Sequence, residues 1–523
     1  MKTLDGSAVP PSYGSILRKT LRQAALPVLF CFILVSSLWC INGILMPKYS
    51  SHNNIWPVTA TFKQFYKMKK NSVDVIFLGS SYCMTAMNPQ ALYNYYGIRS
   101  YNLSSEQQAV FASYYWLKEA LRFQSPKVVV LDTHFIFTRK RNFPVNMSYE
   151  LLGKCLDPMH FSSVKREFIS DLCSHDSTLD PLSYYLSNIR FHTRWKELEE
   201  DDFKSYAGSA PLKGFAPLYG RRRREFHPPV VKDTDKRTAL SPLTLDYLGR
   251  MEALCREKGA ELVLMSTPTG YLGGVSVGTV SDYADEHDLR YYNLGSPEYY
   301  DAMELQFPKE CFNHHSNVWG ADKAARVVGR ILQEDCGVPS VEDEQWESTK
   351  AYYDKVLAKG NLSFIEDADE YLQEIRKGDY CIFMSVKDDA RSGIKDSTRK
   401  NLRKLGLKTD LKKHFRDSYC AVIQPGGLIT EKIGDDGVVT KVEGRLWNSS
   451  VFYRLSSQGR DPSTHKSSSS IVIDGKEHSA QLRGINIVVY DPEFSKVIDS
   501  VNFDTCNKKT QKARRPDRCI ERL

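Results

Sequence analysis

The run Val73-Asp74-Val75-Ile76-Phe77-Leu78-Gly79-Ser80-Ser81 decides how this chain of 523 residues is read. Val73 to Leu78 is short and mostly apolar, as a strand buried on both faces is, and Gly79-Ser80-Ser81 ends it in a tight turn. The same rhythm continues outward. Helices are expected over Pro89 to Tyr96 and over Ser105 to Phe123, the latter with Glu119 and Arg122 on its polar side. Ser100 to Leu103 and Lys127 to Asp132 read as strands. Leu243 to Lys258 is an amphipathic helix ended by Gly259, Glu261 to Met265 a strand, Ser281 to His287 a helix and Leu289 to Leu294 a strand. Trp319 to Gln333 closes the region as a helix. Strands alternating with helices predict an α/β fold, a parallel sheet covered on both faces. Sites in such sheets form at the carboxyl ends of the strands, where Ser81, Asp132 and Ser266 stand.

Ahead of this region, Ala24 to Met46 carries no charge over 23 residues. A helix of that length spans about 34 Å, enough for a bilayer core. Arg18, Lys19 and Arg22 precede it, so a cytoplasmic N-terminus and an exported remainder are expected. A cleaved signal peptide is the rival reading. Ile44-Leu45-Met46-Pro47-Lys48 lacks the small residues of a cleavage site, which favours a signal-anchor.

The segments then divide as follows: a cytoplasmic tail 1–23, a membrane helix 24–46, a connector 47–72 and the α/β domain 73–335, with an insertion over about 138–235. A linker 336–351 leads to a second, strand-rich domain 352–506 and a basic tail 507–523, expected to be disordered. Ser456 to Ser470, with seven serines, reads as a loop. Hydrophobic residues at 41% and charged residues at 26% exclude a largely disordered chain and a polytopic membrane protein. A net charge of +8, from 71 Lys and Arg against 63 Asp and Glu, is too thin to imply nucleic acid, and none is expected as a partner. The basic run Arg221 to Arg224 is either a solvated loop or a contact for an anionic polymer. Twelve cysteines without a CxxC pair imply neither a disulfide scaffold nor a zinc knuckle, and no metal or other cofactor is expected.

A serine needs a base to become a nucleophile, and the base needs to be oriented. Ser81 at its strand end is the candidate nucleophile. Asn313-His314-His315-Ser316-Asn317-Val318-Trp319-Gly320-Ala321, just before the closing helix, supplies the candidate base. In order and separation these two elements resemble the SGNH/GDSL hydrolase superfamily over residues 73–335. The likeness is to its single-pass, extracytoplasmic members in bacterial envelope-polysaccharide pathways, the teichoic-acid D-alanylation branch among them. Ser80 stands where Asp is usual in the first block, Asn102-Leu103-Ser104 matches the second, and His315 to Ala321 matches the last.

The resemblance implies a flavodoxin-like three-layer fold, Ser81 as nucleophile and His315 as base, and an oxyanion site from the Ser81 N–H with Ser104 and Asn102. It further implies a serine esterase or O-acyltransferase acting on acyl esters of envelope or capsular polysaccharide, with a polytopic membrane acyltransferase as partner. The Asp usual three residues before the base is Phe312 here, and Asp132-Thr133-His134 occupies the place of the Gly-x-Asn-Asp block. Asn313, Glu310 or no residue serves to orient His315; a Ser–His dyad with the imidazole held by a backbone carbonyl remains workable, and the alternative is a non-catalytic glycan-binding or scaffolding surface protein with a vestigial hydrolase fold.

The second domain, through Gly378 to Asp389, Leu402 to Leu407, Phe415 to Tyr419 and Arg483 through Thr505, resembles the interleukin-like EMT inducer (PANDER-like) module. In that family the Arg-Gly-Ile-Asn segment comes before the Val-Lys-Asp segment; here it follows, as either a circular permutation or two incomplete copies would give. The resemblance implies an α+β, β-rich carbohydrate-binding domain with Lys387, Asp388, Arg416 and Asp417 near the sugar-facing surface. Tyr419 and Trp447 are the candidate aromatic faces, each also readable as a core ring.

Overall fold

The computed structural model describes residues 13–46, 58–137, 149–198, 200–203, 210–219, 234–268, 272–306, 310–312, 315–447, 449, 451–506 and 514–515. They belong to two compact units. One comprises residues 1–48 with 180–204, the other 49–179 with 205–523. The run Arg221 to Arg224 and most of the basic tail lie outside the described residues.

The first unit is built on the helix Tyr13–Leu45. Its Ala25–Leu45 stretch is long and apolar enough to cross a membrane and is almost wholly unburied, unlike the core helix of a soluble protein.

The second unit begins with five parallel strands: β1 (Val75–Leu78), β2 (Ser100–Asn102), β3 (Val128–Asp132), β4 (Glu261–Ser266) and β5 (Arg290–Asn293). Their order is β2-β1-β3-β4-β5. The chain turns to one side of β1 for β2 and to the other for β3, which opens a crevice at the carboxyl ends of β1 and β3. Successive side chains alternate between faces. Phe77, Val130 and Met265 belong to the core that includes Ala91 and Leu92 of the helix Pro89–Tyr96 and Val328 and Leu332 of Val318–Glu334. Ile76, Leu78, Val129 and Leu264 alternate with them and are equally buried, on the side of the helices Val110–Ala120 and Pro242–Lys258. Burying such a side chain contributes about 1.5–3 kcal/mol, so both layers hold the sheet.

Local signals set the helix ends. Ser241 accepts from the Thr244 N–H at 3.1 Å, and Gly259 closes that helix in the left-handed conformation. The helix expected from Ser105 starts later, at Val110. Glu119, expected on its polar side, is fully buried: Arg122 at 2.7 Å, Ser162 at 3.1 Å and Tyr66 at 3.2 Å hold its carboxylate. Helical spacing placed Glu119 correctly beside Arg122, but the neighbouring segments that cover it lie far away in sequence.

A short hairpin follows, β6 (Cys311–Phe312) with β7 (His315–Ser316). The remaining strands are β8 (Cys381–Asp388), β9 (Ser418–Gln424), β10 (Leu428–Gly434), β11 (Val439–Arg445), β12 (Phe452–Gly459), β13 (Ser468–Ile473), β14 (Lys476–Glu477), β15 (Gly484–Asp491), β16 (Lys496–Phe503) and the two-residue β17 (Arg514–Arg515), which pairs with β16 inside the tail expected to be disordered. β8 is central. It runs antiparallel to β15 on one edge; on the other it pairs with β9 up to Ser385 and then with β12 at Lys387 and Asp388. Phe383, Val422 and Val488 pack with Tyr453, Leu455 and Ile471. Met384, Ala421 and Ile487, on the opposite face, join the core that continues into the α/β domain.

Ser456 to Ser470, expected as a loop, instead supplies parts of β12 and β13, with Ser456 opposite Ser470 and Ser457 opposite Ser469. The serines tolerate burial because they are bonded: the Ser457 hydroxyl donates to Val386 O at 2.5 Å and accepts from the Tyr419 N–H at 2.9 Å. Residues 336–351, expected as a linker, bury Val338 and Trp346. Close by, the Tyr353 hydroxyl donates to Asp322 at 2.8 Å and accepts from Asn88 at 2.9 Å, both in the α/β domain.

Candidate active site

The carboxyl end of β1 and the turn after it carry Ser81. A Cβ on Gly79 would lie 2.4 Å from the Asp132 Cβ, so only glycine lets β1 and β3 approach this closely. Ser80 caps the short helix Ser81–Ala86, its hydroxyl accepting from the Tyr82 N–H at 3.3 Å. The Ser80 hydroxyl donates to Asp132 Oδ2 at 2.8 Å, and the Ser80 N–H reaches the same oxygen at 3.3 Å. Asp132 thus braces the turn from the end of β3. Beneath it Cys83 is fully buried; that burial, with the Asp132 charge adding to it, pushes the thiol well above its ordinary range. Cys83 is therefore inert packing rather than a second nucleophile.

His315 arrives on β7. The residues after it explain the pattern of its block. Asn317 caps the closing helix, accepting from the Gly320 N–H at 3.1 Å. Gly320 passes so near Glu310 O that a Cβ there would sit 2.2 Å from it. The result is that His315 Nε2 lies 2.9 Å from Ser81 Oγ. The Tyr82 ring stacks on the His315 imidazole at 4.7 Å and 15°.

The Tyr82 ring also lies 4.6 Å from a second histidine, His134, tilted by 33°. Its Nδ1 is 2.6 Å from Asp132 Oδ1, and Thr267 Oγ1 is 3.4 Å from the same nitrogen. Asp132 therefore serves both the Ser80 turn and His134, one oxygen to each. In the sequence Asp132 stands at a strand end where sites form and Asp132-Thr133-His134 follows the third strand, but no residue there spells out its role. The usable signal was the Asp at a strand's carboxyl end with a His two residues on.

The remaining candidates are placed as follows. Asn102 Nδ2 donates to Cys83 O at 3.0 Å and Met87 O at 2.9 Å, so this side chain holds the end of the Ser81 helix. Its Oδ1 accepts from the Ser104 N–H at 3.2 Å. Ser104 itself lies beside the Ser81 turn, since the next residue, Ser105, donates its N–H to Gly79 O at 3.2 Å. Glu310 accepts from the Gln306 N–H at 2.6 Å and pairs with Lys323 at 2.8 Å. Asn313 lies outside the described residues. Among the described residues no group of three or more His, Cys, Asp or Glu is placed to hold a metal ion.

In the second domain Lys387, Asp388, Arg416 and Asp417 gather at one end of the sheet. Lys387 Nζ donates to Gln481 O at 3.0 Å, and Asp417 pairs with His414 at 2.8 Å. The buried Asp389 organises the loops, accepting from the N–H groups of Arg391 at 2.9 Å and Arg416 at 3.2 Å. Tyr419 is a core ring whose hydroxyl donates to Glu431 at 2.7 Å. Trp447 is 69% exposed, but its backbone N–H donates to Gln424 Oε1, at the far end of β9 from Asp417. The aromatic face beside the predicted polar residues is Phe415, 45% exposed, with the Arg416 guanidinium 4.9 Å and the Arg391 guanidinium 5.5 Å from its ring centre. Its neighbours in sequence, Arg416 and Asp417, were the available signal.

Residues 345–427 match the family model described as interleukin-like EMT inducer. The matched stretch spans the helix Lys350–Gly360, β8 and β9; β15 and β16 lie beyond it and complete the same sheet. No curated protein sequence matches the chain. A solved structure described as a gut microbial diltiazem-metabolizing enzyme is similar over 52% of the chain at 13% identity, with a TM-score of 0.19, and the chain spans 48% of that enzyme. A likeness of this grade carries no functional argument.

Proposed function

We propose that the chain is a membrane-anchored, extracytoplasmic serine esterase or O-acyltransferase acting on acyl (acetyl) esters of cell-envelope glycan, which its second domain binds. The observation that carries this reading is the 2.9 Å contact between His315 Nε2 and Ser81 Oγ, at the carboxyl end of a parallel sheet whose order is that of flavodoxin-like folds. His315 takes the Ser81 proton as Oγ attacks the ester carbonyl. Ser81 opens its helix, so its N–H has no intrahelical carbonyl and is free to face the oxyanion. The alcohol leaves with the proton held by His315, and the acyl group stays on Ser81. Water or a sugar hydroxyl, deprotonated by His315, then attacks the acyl carbonyl, and Ser81 Oγ leaves and recovers that proton from His315. Tyr82 keeps the imidazole plane fixed, and Asp132 keeps the Ser80-Ser81 turn in place.

Phe415 with Arg391, Arg416, Asp417 and Lys387 supports the sugar-binding role of the second domain. A ring face with planar polar groups at its rim suits a hydroxyl-rich ligand. β15 beside β8 puts the displaced Arg-Gly-Ile-Asn segment in the same sheet as the Val-Lys-Asp strand, which favours a circular permutation over two copies. The anchor reading is supported by the partners that the apolar helix keeps within the chain: Arg194 donates to Leu45 O at 2.6 Å.

One observation favours a second reading, a glycan-binding protein with a vestigial hydrolase fold. The Ser104 N–H, a second oxyanion donor by resemblance, is engaged by Asn102 Oδ1. Turnover of p-nitrophenyl acetate by the full chain in detergent, beside Ser81→Ala and His315→Ala, separates the two. The enzyme reading expects turnover that falls by at least about 100-fold in both variants. Equal turnover in all three would exclude this Ser–His pair. An inert wild type that binds acetylated glycan without deacylating it would leave the second reading standing.

A further inference from the structure

The segment Asp180–Lys204 shares a compact unit with the apolar helix. It folds as the short helices Pro181–Tyr185 and Asn188–Phe191, then the turns His192–Lys196 and Glu200–Phe203. These pieces bind the last two turns of the long helix. The Ser187 hydroxyl is hydrogen-bonded to Asn42 Oδ1, Asn188 Nδ2 donates to Leu38 O at 3.3 Å, and Arg194 Nη1 donates to Leu45 O at 2.6 Å. Arg194 thereby satisfies a carbonyl that a helix leaves open at its carboxyl end, while its Nη2 holds Asp202 at 2.8 Å. Ser187 gives Asn42, a polar side chain near the end of the apolar stretch, a hydrogen-bond partner within the chain.

The outer surface of the same segment carries large apolar side chains beside the exposed polar residues His192, Thr193, Lys196 and Glu197. Leu182 is 52% exposed, Leu186 54%, Ile189 41%, Trp195 65% and Phe203 64%. Its cations stand over aromatic rings: Arg190 lies 4.5 Å from the Tyr184 ring centre and Lys196 5.5 Å from that of Trp195. A patch of this kind on a 25-residue insertion would be costly in water. Large aliphatics with Trp, Tyr and snorkelling cations are the composition of a membrane interface. Depth agrees with composition. Asn42 lies three residues before the helix end at Leu45, about 4.5 Å along the axis, so whatever bonds Asn42 sits at headgroup level if the helix spans the bilayer.

We propose that residues 180–204 are a membrane-interfacial foot, seated among lipid headgroups and upper acyl chains around the exit of the helix. This rests on the reading of Ala25–Leu45 as a membrane span. The occupant of the apolar face is lipid, because the face continues directly from a surface that lipid must cover.

The test uses the full chain in vesicles of phosphatidylethanolamine and phosphatidylglycerol, with p-benzoylphenylalanine placed singly at positions 33, 186, 195 and 436. Position 33 reports on the helix, and exposed Asp436 of the second domain is the aqueous reference. The foot expects lipid adducts at 186 and 195 about tenfold above those at 436 and comparable with those at 33. Adducts at 33 with none at 186 and 195, or with cross-links there to a second copy of the chain, overturn the foot and leave the span intact. Failure at 33 as well overturns the span and the foot together.

Discussion

The ring of Tyr82 lies face to face with the imidazole of His315, 4.7 Å between centres and 15° from parallel, while His315 Nε2 is 2.9 Å from Ser81 Oγ. A stacked ring on one side fixes the plane in which Nε2 can meet the hydroxyl.

Replacing Tyr82 by Leu removes that plate and leaves a side chain that fills the space. If His315 is the base, kcat for ester turnover falls about 10- to 100-fold, since small errors in position cost that much. Tyr82→Phe keeps the ring and stays within about threefold of wild type. Steady-state kinetics of the two variants check this; equal losses in both would show that the hydroxyl, not the stacked plane, matters.

Tyr353 belongs to the stretch that matches the interleukin-like EMT inducer model, yet its hydroxyl bonds Asn88 and Asp322 of the α/β domain. Tyr353→Phe leaves two buried polar groups without that partner and costs about 1–3 kcal/mol. Because the core is continuous, the loss falls on one shared unfolding transition of both domains. Denaturation followed separately by tryptophan fluorescence and by calorimetry checks it; a second domain that melts alone would contradict a common core.

Burial holds the His478 imidazole down at about 4, from an ordinary value of 6.5. Between those values the unfolded chain carries a proton that the folded chain does not. Stability therefore falls as pH drops from 6.5 towards 4 and levels off below, where the folded form is protonated too. The shift is equivalent to about 3 kcal/mol at most, and partial exposure of the side chain lowers that. His478→Gln should flatten the profile in this window and leave it unchanged above pH 7, as urea unfolding at a series of pH values will show.

Much of the α/β domain was legible because its signals are local. Val75–Leu78, the Gly79 turn and the capped closing helix each depend on a few adjacent residues, and so Ser81 and His315 could be named before their contact was seen. What escaped depends on residues far apart. Asp132 reaches Ser80 only because β3 lies next to β1, and nothing within either segment states that pairing. The serines of β12 and β13 looked like a loop because burial of a hydroxyl depends on an acceptor across the sheet, here Val386 O. Phe415 was passed over for Tyr419 because sequence does not show which ring faces water; the fold buries Tyr419 and exposes Phe415.

The continuous core between the two domains of the second unit has a geometric consequence. With Tyr353 bonded across the joint and Met384, Ala421 and Ile487 in one core with Phe77 and Met265, neither domain swings on a hinge. The distance from Ser81 to Phe415 is then a property of the fold, as fixed as the spacing of two marks on a ruler. On the proposed reading, a polymer held at Phe415 would meet Ser81 at a fixed distance from the sugar that is bound.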